Sequence, residues 1–153
     1  MRRGLSKSTP LIAGLLVGLL FAILAVPLIA QPADDSIFSY DRSKEVSLSG
    51  TVSSVLEKPA PGMIWGSHLV IDTLSGKVDA SLGRWGLVGK DALSVKPGQQ
   101  VEVTGVMKTF HEKEVFLVRT VKVNGKAYAI RNQRGVPVSP QTRQIAARRG
   151  ETL

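Results

Sequence analysis

The chain has 153 residues and no cysteine. That excludes a disulfide framework, a thiolate metal site, a cysteine nucleophile and a lipid-modified cysteine behind a leader, and leaves stability to packing alone. The formal net charge is +8, but residues 1–33 hold Arg2, Arg3 and Lys7 with no acid, residues 34–130 hold 12 Lys/Arg against 11 Asp/Glu, and the stretch from Arg131 adds five arginines against Glu151. The basic excess therefore sits at the two ends, and the high pI does not mark the central domain as a nucleic-acid binder.

Residues 11–30, LIAGLLVGLLFAILAVPLIA, form an uncharged run behind the basic flank. About 20 apolar residues match the hydrocarbon thickness of a bilayer, and the positive flank stays on the cytoplasmic side. Residues 1–30 are thus expected to be a signal peptide or membrane anchor that carries the rest of the chain across. Pro27 and Ala30 resemble a processing site, while Leu28 is larger than such a site prefers, so cleavage and retention both stay open. The expected address is periplasmic or secreted, with anchorage to the inner membrane through residues 11–30 if the leader is kept. Residues 31–44, polar and irregular, read as a linker from which Phe38 and Tyr40 pack on the folded unit.

Residues 45–131 carry the period of two that strands require. In residues 45–56, EVSLSGTVSSVL, the alternation at Val46, Leu48, Gly50 and Val52 slips by one so that Val55 is apolar, as a bulge would produce. Residues 58–62 read as a loop. Residues 64–73 form the second strand, with Trp65, Leu69 and Ile71 inward and His68 and Asp72 outward. A turn at residues 74–76 leads to the third strand, residues 77–82, with Val78, Ala80 and Leu82 inward and Lys77, Asp79 and Ser81 outward. Residues 83–97 break the period and predict a plug with a short helical turn near residues 91–93. The fourth strand holds Val101 and Val103, a polar loop spans residues 108–114, and Val115, Leu117, Val121 and Val123 share the inner face of the fifth. Asn124-Gly125 marks a tight hairpin turn into a short sixth strand over residues 126–131. Residues 132–153 read as a basic flexible tail with a possible short helix, Ser139 as cap, Pro140 in its first turn and Gly150 as its stop.

This order predicts an all-β fold: a small five- to six-stranded OB-like Greek-key barrel behind the hydrophobic segment. The G-x-V strand at residues 50–52 and the G-x-x-V-x-V-x-G run at residues 98–105 resemble the OB-fold domains of small exported bacterial proteins of uncharacterised function, over residues 46–130. The ending IRNQRGVP, residues 130–137, is similar to the close of such proteins. In plan the chain also resembles the membrane-anchored haem chaperone of cytochrome c maturation. That family holds haem through a histidine just after the last strand, where this chain has Arg131 to Arg134 and no histidine beyond His111.

The candidate ligand-binding residues are His68, Asp72, Phe110 and His111, near the face where OB barrels bind, and the five arginines Arg131, Arg134, Arg143, Arg148 and Arg149 are candidate tail contacts. A metal site built on His68 and His111 would need Asp72 or Glu112 as a third ligand, and the spacing supports no such motif. No nucleophile elbow or phosphate loop occurs. No catalytic residue, metal or cofactor is therefore expected, and the chain reads as no enzyme. It reads as an exported cell-envelope binding or structural module whose partner is an envelope protein, a glycan or a small ligand. The other readings are a metal- or haem-handling periplasmic accessory protein and an oligonucleotide-binding OB domain. Nucleic acid is disfavoured because the outer face of the second and third strands is mixed in charge and poor in aromatic rings.

Overall fold

The computed structural model describes residues 36, 37 and 39–153. The expected leader, the first part of the linker and Phe38 lie outside the described residues. Among the described residues no helix is long and apolar enough to cross a membrane.

A single bulge organises β1 (Val46–Leu56). Its pairing with β2 (Ser67–Thr73) shifts register between Val52 and Ser54, which keeps both Val52 and Val55 against the core, as the slipped alternation implies. Gly50 lies where the strand bends: a Cβ there would sit 2.4 Å from the carbonyl oxygen of Asp72. The first half of β1 consequently leaves β2 and pairs from Val46 to Thr51 with β4 (Gln100–Phe110). β3 (Gly76–Gly83) runs antiparallel to β2, and β5 (Lys113–Val123) antiparallel to β4. Parallel pairing of Ala80 with Phe116 and of Ser81 with Leu117 joins β3 to β5 and closes the five strands into a barrel with OB connectivity. β6 (Lys126–Ala129) extends the sheet from β5 beyond the Asn124-Gly125 turn, whose φ values of 50° and 77° are those Asn and Gly tolerate.

The barrel core holds Val52, Leu69, Ile71, Ala80, Leu82, Val101, Val103, Phe116, Val118, Val121 and Val123. Two of these correct the expected face of β5. Thr104 pairs with Thr120 but Gly105 pairs with Val118, so Arg119 is an extra residue on β5 and the inward face changes parity there. Phe116 and Val118 enter the core, while Val115 and Leu117 join Val106 in a second cluster with Ile37, Tyr40, Ile64 and Phe110. Gly105 permits the approach: a Cβ on it would meet the Leu117 carbonyl oxygen at 2.1 Å. The loop expected over residues 108–114 is also corrected. Both strands continue, and only His111 and Glu112 turn, with φ of 46° and 63°.

Residues 84–99 form turns and irregular chain with no helix. Leu93 still plugs the barrel, helped by Leu87 and Val95, and its N–H bonds to the Gly86 carbonyl. The stretch expected as a tail returns over the barrel: Arg131 bridges to Pro137, and the Val138 N–H bonds to the Ile130 carbonyl. It then enters α1 (Pro140–Arg149), where the Ser139 side chain accepts the Thr142 N–H and Gly150 closes the helix in the left-handed conformation. Arg143, expected as an exposed contact, is buried. Its guanidinium donates to the carbonyls of Trp85, Val88 and Val138, which ties the plug to the helix.

Candidate functional site

Two glycines build an apolar cleft on the barrel surface. Gly66, just before β2, lies backbone to backbone on Gly83 at the end of β3, where a Cβ on Gly66 would come within 2.6 Å of the Gly83 carbonyl carbon. Their neighbours Trp65 and Arg84 therefore land side by side. The Arg84 guanidinium carbon lies 5.4 Å from the Trp65 ring centre and 4.5 Å from that of Trp85, an arginine held between two indoles. Trp65 was expected inside the barrel, yet it is 67 % exposed. β2 begins only at Ser67, so the strand alternation does not extend to it.

Residues 132–136 supply another wall. The Asn132 side-chain oxygen accepts the N–H groups of Arg134 and Val136, and Gly135, at φ 78°, admits the Tyr40 ring where a Cβ would lie 2.2 Å from the Tyr40 Cβ. The resulting cleft has a volume of about 370 Å³. Three arginines line it, Arg84, Arg131 and Arg134, together with Trp65, Tyr40, Ile37, Ile64 and Val136, and among the described residues no acid lines it.

Arg131 is only 6 % exposed. It donates to the carbonyls of Ser81 and Val118 at 2.8 and 2.6 Å and to the Ser81 hydroxyl, all of them neutral acceptors. This contact explains why Ser81, expected to face outward, is buried. Burial lowers the Arg131 pKa to about 10, against a smaller opposing effect from Tyr40, and the group stays cationic at neutral pH. The carboxylate of Glu45 is engaged by Arg119 and Tyr40. It accepts from the guanidinium of Arg119 through both oxygens, and from the Tyr40 hydroxyl at 2.8 Å. The Arg119 bonds hold the Glu45 carboxyl below its ordinary range, while burial, followed by the bond to Glu45, pushes the Tyr40 phenol up.

The four expected ligand residues do not form one site. His68, placed on the outer face by alternation, is fully buried, with Nδ1 2.6 Å from Asp79 and Nε2 2.8 Å from the Ile64 carbonyl oxygen. Asp72 is exposed and pairs with Lys77 at 2.6 Å. Phe110 folds back into the second cluster, edge-on to His111 with ring centres 4.3 Å apart, and His111 sits at the β4–β5 turn. Among the described residues no three His, Asp or Glu side chains are grouped closely enough to hold a metal ion. Of the five arginines only Arg131 and Arg134 reach the cleft; Arg148 and Arg149 are exposed at the end of α1, where Arg149 lies 3.6 Å from Glu151.

Trp65, Arg84 and Tyr40 are the cleft residues that alternation does not reveal. The available signal is the Trp-Gly pair at 65–66 opposite the Gly-Arg-Trp run at 83–85, where glycine on both segments permits close approach. Chemically the cleft offers cations and apolar surface, and among the described residues no histidine, serine or acid lines it to move a proton or attack a substrate.

No curated protein matches the chain. The model of the MamS/MamX magnetosome protein family matches residues 44–128, more than half of the chain and the whole barrel from just before β1 into β6. That match replaces the comparison with the haem chaperone. It includes Trp65 and Arg84, and ends before Arg131 and the loop that completes the cleft. The chain thus belongs to the MamS/MamX magnetosome protein family.

Proposed function

We propose that this protein is a binding module of the magnetosome and cell envelope, carried across a membrane by residues 11–30 and engaging its partner through the Trp65 cleft. The observation that carries this reading is an indole two-thirds exposed beside an arginine fixed by ring contacts, at the mouth of an apolar cleft. Aromatic and arginine side chains are enriched where proteins bind one another, and an exposed tryptophan incurs a solvation cost that a partner would relieve. Family membership supports the magnetosome association. The uncharged run of residues 11–30 behind Arg2, Arg3 and Lys7 supports passage through a membrane. Binding is proposed over catalysis because, among the described residues, the cleft lining offers arginines and apolar side chains and no nucleophile paired with a base.

The test is site-specific photo-crosslinking in cells that make the protein, with the reactive residue at exposed Val136 in the cleft or at exposed Met107 on β4. The reading expects a discrete adduct in the membrane fraction from Val136 and none from Met107. Equal labelling from both positions, or no adduct from Val136, overturns it.

A further inference from the structure

The charge balance of the cleft narrows its ligand. Three guanidinium groups line one cleft, and among the described residues no acid lines it. Arg131 is buried, and among the described residues its acceptors are all neutral. Glu45, whose carboxylate meets the cleft residue Tyr40, is occupied by Arg119 and Tyr40. Arg84 is oriented by Trp65 and Trp85 and forms no ion pair among the described residues; the Arg134 side chain forms none either. Such an arrangement leaves planar cationic forks facing a cleft whose remaining surface is apolar. Carboxylates match that fork geometry, and Ile37, Ile64, Val136 and the Trp65 ring offer a seat for an aliphatic side chain.

Resting on the cleft as the binding surface, we infer that its occupant is an acidic segment of a partner protein, with carboxylates on Arg84 and Arg134 and an aliphatic side chain between them against Trp65. A phosphate-bearing ligand would satisfy the cations but leave the apolar wall bare. A purely apolar ligand would desolvate the arginines without compensation.

Fluorescence anisotropy with the full chain in mild detergent tests this, using a short dye-labelled peptide of glutamates around a leucine pair. The expected result is saturable binding that weakens as salt rises, about tenfold weaker binding of the same peptide with glutamine for glutamate, and a comparable loss when serine replaces leucine. Arg84→Gln combined with Arg134→Gln, both at exposed positions, should weaken the glutamate peptide about tenfold and leave the melting temperature unchanged. Equal binding of the glutamate and glutamine peptides overturns the inference, as does undiminished binding by the double variant. Tighter binding of oligothymidylate or of anionic lipid vesicles than of the peptide also overturns it. If Val136 still crosslinks a partner in cells while the peptide does not bind, the acidic ligand is wrong and the cleft reading stands; if both fail, the cleft reading falls too.

Discussion

Trp65 and His68, three residues apart, hold the reverse of the places that alternation assigns to them. The tryptophan is exposed because its backbone precedes the strand, and the histidine is buried because Asp79 and the Ile64 carbonyl meet both of its ring nitrogens. His68→Ala should therefore behave as a core mutation that leaves Asp79 unpaired, lowering stability by about 3 kcal/mol in chemical denaturation. A loss below about 0.5 kcal/mol would place the histidine among solvated surface residues. Glu45 permits a prediction in pH. Its carboxyl is held below the ordinary range in the folded state by Arg119, so its stabilisation is fully present above the unfolded value of about 4.3 and is lost as pH falls through the folded value. Melting curves between neutral and acid pH should thus fall more steeply for the native protein than for Glu45→Gln. Parallel curves would show that the Arg119 contact does not survive in solution.

At the scale of elements, two irregularities of one residue each determine which side chains face the core. The bulge in β1 was legible because an apolar residue, Val55, follows the slip. The bulge at Arg119 was not, because Val115, Phe116, Leu117 and Val118 are all apolar and either parity of the strand reads as reasonable. Pairing with Gly105 decides between them, since only a residue without a side chain lets the Leu117 carbonyl come so close. The β4–β5 turn was hidden for a related reason. His111 and Glu112 both adopt positive φ, a conformation for which Asn-Gly is the usual signal. His111→Asn with Glu112→Gly should relieve that strain and raise stability by about 1 kcal/mol, measured by thermal or urea unfolding. A loss of stability would mean that the His111 ring contact with Phe110 outweighs the backbone term.

For the whole molecule, the return of the chain after β6 matters most. Ile130 and Val138 are buried, Arg131 fills the space over Ser81, and Arg143 fastens α1 to the carbonyls of the plug. Ending the chain after Ile130 would remove the partners of those carbonyls and uncover Ser81. It should lower the melting temperature by well over 5 °C relative to the full chain, whereas ending it after Gly150 should change little. Equal stability of the two truncations would make the returning segment dispensable. A reporter fused after Leu153 should be active outside the cytoplasm, because the positive charges flank the apolar run on one side only. Cytoplasmic activity of that fusion would remove the envelope from the proposed function.

The strand order, the barrel and the capped helix were legible because each rests on local chemistry: alternating valines, glycines at bends, Asn-Gly at a turn, and Ser139-Pro140 with Gly150 around a helix. The cleft was not legible, since its walls come from segments separated along the chain, around Tyr40, Trp65, Arg84 and Arg134. No periodicity encodes their meeting. Closure of β3 on β5 and the return of residues 131–138 bring them together, and the same tertiary contacts bury His68, Ser81 and Arg131, which composition alone would leave in water.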